Sequence, residues 1–386
     1  MLKNRFAILN YSQKRENAGG PSGYLFNLYA GLSDLKTDID FLFVEDALLG
    51  AVKKVRKRRN FFIQLRNILF FIKKGIRMRN KFKSVVSNYD VIHVQSCEDC
   101  FYLKKYCKFK GKIIFTPHRP ETYYEEVVSS LNTHGKEYRL LKFFFNRVEA
   151  AAYQFADAFI FPSVEAKNVY HSFPGFEKNT RGKEIKYVAT GVIKKRPLRD
   201  AGSYRRDVLR LPEDKFVVAY IGRHNKIKGY DRLVDVSRQL IDEDIYIVVA
   251  GTKGIINPPN SDHWIELGYI KEIPELLSAV DVLVSPNRNT YYDLAIIEAL
   301  AQGKIIVTSN TGGNIGLEAK CKAVITFDNN SSSDFLNKIL DLKSCGKDRL
   351  KHLEKQAEKF FCLTSTVDVF AKNYTIAIQE LVASLI

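Results

Sequence analysis

The stretch GRHNKIKG (222–229) sets Arg223 and Lys228 between an apolar run, FVVAYIG (216–222), and a helical pattern carrying Leu233, Val234, Val236 and Leu240. A strand followed by a helix puts both cations in one βα turn beside a helix N-terminus. Fixed cations and unsatisfied backbone N–H groups in such a place suit a diphosphate, and they supply its counter-charge without a divalent metal. A solvated basic loop is the other reading of the same residues. A second question comes from LAIIEALA (294–301), an apolar helical segment with a single acid, Glu298. Burying a carboxylate without partners is costly. A diol such as the ribose 2′- and 3′-hydroxyls would be a partner; a Glu on a wet helix face would need none. Near the N-terminus, ENAGGPSGYLFNLYAGL holds Gly19, Gly20 and Gly23. These glycines permit close backbone approach, but their spacing is not the GxGxxG fingerprint of dinucleotide sites.

The elements that must position these residues are legible as apolar runs alternating with helical patterns. Strands are expected at 5–11, 39–45, 91–96, 112–118, 158–163 and 185–191, then at 216–222, 245–251, 265–270, 282–287, 304–310 and 323–328. Runs this apolar belong to parallel sheets covered on both faces, and their alternation with helices implies right-handed βαβ units. The polar, basic segment 191–215 separates the two series and carries two prolines. The expected fold is therefore α/β, with two Rossmann-like doubly wound parallel-sheet domains facing across a cleft, where ligands of such sheets bind. The expected division is 1–192, 193–365, and a C-terminal helix, 366–386, returning to the first domain.

Composition narrows the function. The 386 residues are 46% hydrophobic and 27% charged, with a net charge of +17, which suggests an anionic partner. No apolar run is long enough to span a bilayer, and no signal-peptide pattern opens the chain, so a cytoplasmic protein is expected. Six cysteines are too few for a disulfide framework. Cys97-x-x-Cys100 lacks a second pair, which favours buried small residues over a metal or redox site. The triplets Asp38-Ile-Asp40 and Asp242-Glu-Asp244 have the spacing of a metal-binding DxD. Both precede strands, at the end of the sheet away from ligands, and are read as solvated turns. His93, within an apolar run, is read as a structural histidine. No nucleic-acid-binding motif is present.

Taken in order, these pieces resemble the retaining glycosyltransferases of family 4 (group 1), which have the GT-B fold. The resemblance is best over 216–316 and weaker over 5–30, 91–125 and 158–191. It implies that Arg223 and Lys228 hold the donor diphosphate, with Gly19 and Gly20 approaching it, and that Glu298 binds the nucleotide ribose. TPH (116–118) is similar to the strand end whose histidine lies beside the reacting carbon, which makes His118 a catalytic candidate with Arg223 and Lys228. The family's first glutamate, eight residues before the second, is missing: Thr290 stands there, and Tyr292-Asp293 replaces Phe-Gly. Thr290, Tyr292 and Asp293 are thus the sugar-contact candidates, and Asp293 has a second reading as a helix N-cap. The implied activity is retaining transfer of a hexose from a nucleotide-diphosphate sugar, a UDP-sugar first among them, to a glycan or lipid-linked acceptor. No metal or other cofactor is expected. A sugar-nucleotide epimerase of the same fold and a non-catalytic basic membrane-binding protein are the alternatives. A nicotinamide dehydrogenase would need the GxGxxG that is absent.

The segment 53–83 contains thirteen Lys or Arg and no acid. A helical stripe of Phe61, Phe62, Leu65, Ile68, Leu69, Ile72 and Ile76 is expected to pack on the domain. Ile63 and Phe70 would then lie outside among Arg59, Arg66, Lys73 and Arg77. Apolar residues in a cationic face suit an anionic membrane surface, placing the protein peripherally at the inner face of the cell membrane. A solvated helix is the alternative.

Overall fold

A computed structural model describes residues 5–10, 20–35, 37–43, 60–129, 131, 138–212 and 214–386. The chain divides into two compact units, Met1–Val188 with Ala371–Ile386, and Ala189–Phe370.

The first unit carries β1 (Phe6–Asn10), β2 (Ile39–Phe43), β3 (Val91–Val94), β4 (Lys112–Phe115), β5 (Ala158–Phe161) and β6 (Glu184–Tyr187). They form one sheet in the order β2-β1-β3-β4-β5-β6, with every neighbouring pair parallel. All four residues of β3 and of β5 are buried, as strands covered by helices on both faces require. The order reverses between β1 and β3, so this sheet's ligand-binding switch point lies beyond their carboxyl ends.

The second unit carries β7 (Phe216–Ile221), β8 (Ile245–Ala250), β9 (Trp264–Gly268), β10 (Val282–Ser285), β11 (Ile305–Ser309) and β12 (Val324–Phe327). The order is β12-β11-β10-β7-β8-β9, again parallel throughout. This is the doubly wound nucleotide-binding order, with its switch point between β7 and β10. One face of the sheet packs Val218, Ile247, Val284 and Val307 against Leu233, Val236 and Leu240; the other packs Val217, Ala219, Leu283 and Ile306 against Ile296, Leu300 and Phe361.

Ten of the twelve expected strand segments contain one of these strands whole; β6 and β9 each begin one residue before the expected 185–191 and 265–270. The long basic segment departs from expectation. Residues 53–59, Arg59 included, lie outside the described residues; Asn60–Val86 is one helix. Its packing face is Ile63, Phe71, Lys74 and Met78, all buried, whereas Phe61, Phe62, Leu65, Leu69 and Ile76 are exposed. The expected stripe is therefore on the wrong side. Phe71 settles the rotation by nesting among Tyr102, Phe144 and Phe145, at ring distances of 4.8, 5.4 and 5.8 Å. Lys74 follows Phe71 inward because Glu98 holds its ammonium at 2.6 Å. Gly75 lies inward as well, where an added Cβ would meet the Tyr106 ring at 2.7 Å.

Candidate active site

The turn after β7 is built to hold two cations. Tyr220, buried in that strand, brings its hydroxyl to 2.9 Å from the Arg223 carbonyl and 3.2 Å from that of Lys228, tying the turn together. The Lys228 N–H donates to Asn225 Oδ1 at 2.9 Å. Gly229 then has φ +67, and a Cβ there would collide with the Pro286 carbonyl oxygen. Only glycine lets the turn close this tightly on the segment after β10 before the helix Tyr230–Asp242 begins. Arg223 is exposed and Lys228 half-buried.

Lys228 Nζ reaches Asp293 Oδ2 at 3.3 Å. The same oxygen accepts from Asn287 Nδ2 at 2.6 Å and from the Ser285 hydroxyl at 3.2 Å. Asp293 Oδ1 accepts from the Ala295 N–H at 3.3 Å, which caps the helix Leu294–Ala301. Burial pushes this carboxyl up, but Lys228 and the Asn287 amide outweigh burial and hold it below the usual carboxylate range. Both oxygens are thus engaged in the cap and the lysine pair. Thr290 is buried, and Tyr292 packs against the apolar core. Gly312, at φ +51, brings the TGGN turn onto the Thr290 carbonyl, leaving no room for a Cβ. Asn314 Nδ2 donates to Thr308 Oγ1 at 2.9 Å, and Thr308 in turn donates to the Ser285 carbonyl at 3.0 Å. Glu298 is half-buried, flanked by buried Ile297 and Ala299. Arg223, Lys228 and Asp293 thus gather at the switch point of this sheet, with Glu298 on the helix that leaves it.

In the first unit, Gly20 opens the helix Gly20–Asp34, while Gly19 lies outside the described residues. The Tyr24 ring on this helix lies 4.7 Å from that of His118, just past β4. His118 Nε2 is 2.8 Å from Gln95 Oε1, just past β3. Burial and the neighbouring Arg119 push the His118 imidazole down to about 3, so the ring is neutral. His93 is fully buried and bonded on both ring nitrogens, a structural histidine. Tyr220, Asn287 and Gln95 carried no sequence signal of their own. Period-two spacing alone puts Gln95 on the same strand face as His93.

The metal candidates lie elsewhere. Asp40, at the start of β2, accepts from the Tyr89 hydroxyl at 2.9 Å, and Asp244 pairs with Lys215 at 2.7 Å, at the amino ends of their strands. Among the described residues no cluster of His, Cys, Asp or Glu is arranged to hold a metal. Cys97 and Cys100 are buried free thiols, and burial raises both. Of the expected membrane contacts, Phe70, Lys73 and Arg77 are exposed and Arg66 is half-buried. No described helix is long and apolar enough to cross a membrane.

Two parallel doubly wound units are the architecture of the GT-B glycosyltransferases, and solved structures of that kind superpose on nearly the whole chain. Sucrose-phosphate synthase from Thermosynechococcus elongatus matches with a TM-score of 0.71 at 17% identity, covering 98% of this chain and 99% of that one. Anabaena HepE, solved with UDP and glucose, matches with a TM-score of 0.67 at 15% identity, covering 97% and 100%. Residues 18–192 match the family Glycosyltransferase Family 4, and residues 204–360 match Glycosyl transferases group 1. The chain belongs to the group 1 glycosyltransferases. Among relatives, the O-antigen biosynthesis glycosyltransferase WclY of Escherichia coli is 23% identical over 314 residues, 78% of this chain and 81% of the relative.

Proposed function

We propose that this glycosyltransferase moves a hexose from a UDP-sugar to a hydroxyl of a glycan or lipid-linked acceptor, with retention at the anomeric carbon and without a metal. The observation that carries this reading is the turn after β7, whose backbone at Arg223 and Lys228 is tied by the Tyr220 hydroxyl at a switch point next to a helix N-terminus. When the bond from the anomeric carbon to the phosphate oxygen breaks, its electron pair leaves with the diphosphate. Negative charge therefore grows where Arg223 and Lys228 can meet it, an interaction stronger in the transition state than in the ground state. Asp293 holds the Lys228 ammonium in place without neutralising Arg223. Glu298 accepts hydrogen bonds from the ribose hydroxyls, and His118 contacts the transferred sugar.

The choice of UDP draws support from HepE, which was solved with UDP and glucose, and the glycan acceptor from WclY, named for O-antigen biosynthesis. The helix Asn60–Val86 supports placement at the inner face of the membrane: Phe61, Phe62, Leu65, Leu69 and Phe70 are exposed beside Lys73 and Arg77. Product analysis with a UDP-sugar and a lipid-linked acceptor tests the proposal. Transfer with retained anomeric configuration supports it. A UDP-sugar epimerised with no acceptor present would favour the epimerase reading.

A further inference from the structure

We infer that Gln95 is a positioning residue that fixes the tautomer of His118, and that Tyr374 on the C-terminal helix anchors the far end of the same buried chain. The framework comes from β3 and β4, which pair in parallel with His93 opposite Ile114 and Val94 opposite Phe115. The pairing continues one step further, with the Thr116 N–H donating to the Val94 carbonyl at 3.0 Å. Gln95 follows β3 directly and, with a side-chain period of two, lies on the same side as His93; Thr116 and His118 follow β4 and meet them there.

Five polar side chains meet there. His93 Nε2 is 2.8 Å from Thr116 Oγ1, and His93 Nδ1 is 2.6 Å from the Tyr374 hydroxyl. Tyr374 is fully buried in the helix Val367–Leu385, so a residue near the carboxyl terminus closes the network. The Gln95 amide nitrogen sits 3.3 Å from both nitrogens of the His93 ring, and its oxygen meets His118 Nε2 at 2.8 Å. A carboxamide oxygen only accepts. With the Gln95 amide oriented so that its nitrogen faces His93, His118 carries its proton on Nε2 and Nδ1 is the accepting nitrogen of the neutral ring. A histidine so arranged accepts a hydrogen bond from a substrate hydroxyl at Nδ1 and does not donate one there. This deepens the proposed sugar contact of His118 and rests on that reading for its consequence, although the tautomer itself can be measured without substrate.

The test uses the full chain labelled with 15N-histidine. Two-bond 1H–15N spectra separate protonated from bare ring nitrogens, and loss of one signal set in His118→Asn identifies His118 among the seven histidines. The expected result is an Nε2–H ring in the wild type and in Gln95→Glu, which keeps an acceptor, and a mixed or Nδ1–H ring in Gln95→Leu. Tyr374→Phe should shift the His93 nitrogens. In turnover, Gln95→Leu should lower kcat on the order of tenfold, about 1.4 kcal/mol on the barrier, with donor KM nearly unchanged and Gln95→Glu restoring most of the rate. An Nδ1–H ring in the wild type, or a His118 tautomer indifferent to Gln95→Leu in a folded variant, would overturn the inference. A tautomer that follows Gln95 while turnover does not change would uphold the inference and overturn the substrate role of His118, so the two failures are distinct.

Discussion

Lys228 Nζ lies 3.3 Å from Asp293 Oδ2, joining the turn after β7 to the helix cap after β10. Asp293 is 11% exposed at its side chain and Lys228 28%, so the pair is only lightly screened. Asp293→Asn keeps a good N-cap but removes the charge that holds the lysine. Its melting temperature should fall modestly with the loss of that pair, and kcat should fall as well. Asp293→Ala should in addition lose about 1 kcal/mol of stability with the cap. Lys228→Ala, which removes a group acting on the leaving diphosphate, should cost on the order of a hundredfold or more in kcat. Steady-state kinetics with thermal unfolding checks all three. Full activity in Asp293→Asn would mean that the pair does not position Lys228.

Glu298→Gln separates ribose binding from packing, because it keeps the shape of the side chain and removes its charge. A charge-assisted hydrogen bond contributes about 1.5–3 kcal/mol, so donor KM should rise roughly tenfold to a hundredfold. Stability should change little. Unchanged donor KM would return Glu298 to the wet-face reading.

The buried His93 and the half-buried His118 predict acid sensitivity. Burial pushes His93 down to about 3, aided by His118, and burial with Arg119 does the same for His118. Both are neutral in the folded protein at pH values where the unfolded chain binds protons at about 6.5. The unfolded state therefore gains protons first as pH drops. Stability is full above about pH 6.5 and falls from there towards about pH 3, by up to about 1.4 kcal/mol per pH unit for each histidine. Thermal unfolding between pH 7.5 and 5 should show this decline, and His93→Gln should make it shallower. Equal slopes in both proteins would rule out His93 as a contributor.

The reoriented long helix changes the membrane experiment. Phe61 and Phe62 are 59% and 56% exposed, so they are the side chains to alter. Wild-type protein should float with anionic vesicles and less so at high salt, since each basic residue near the surface adds about 1 kcal/mol. Phe61→Ser/Phe62→Ser should float poorly. Flotation equal to that of the wild type would remove the apolar stripe from the contact.

What was legible in the sequence followed from burial on both faces. Apolar runs such as FVVAYIG and KIIVTSN suit strands of a parallel sheet covered on both faces, and every expected segment overlaps an observed strand, two of them displaced by one residue. The turn at 222–229 was legible because Lys228-Gly229 opens a helix directly after a strand. The rotation of the helix Asn60–Val86 was not, because its inner face includes Lys74 and Gly75. A hydrophobicity pattern places such residues outside; only Glu98 and Tyr106 bring them in. Asp293 could be read as a cap, but its tie to Lys228 joins residues 65 positions apart. The bond between His93 and Tyr374 spans 281 positions and leaves no trace in local spacing.

The central claim is that the turn holding Arg223 and Lys228 receives the diphosphate of a nucleotide sugar. It is tested most directly by thermal shift of the full chain with a panel of nucleoside diphosphates and UDP-, GDP- and ADP-sugars in the presence of EDTA. Saturation a hundredfold above Kd stabilises a folded protein by about 2.7 kcal/mol. The account predicts stabilisation by UDP and a UDP-sugar, undiminished by EDTA and abolished in Arg223→Ala/Lys228→Ala. A wild-type protein stabilised by none of the panel, or a double variant stabilised as strongly as the wild type, would contradict it.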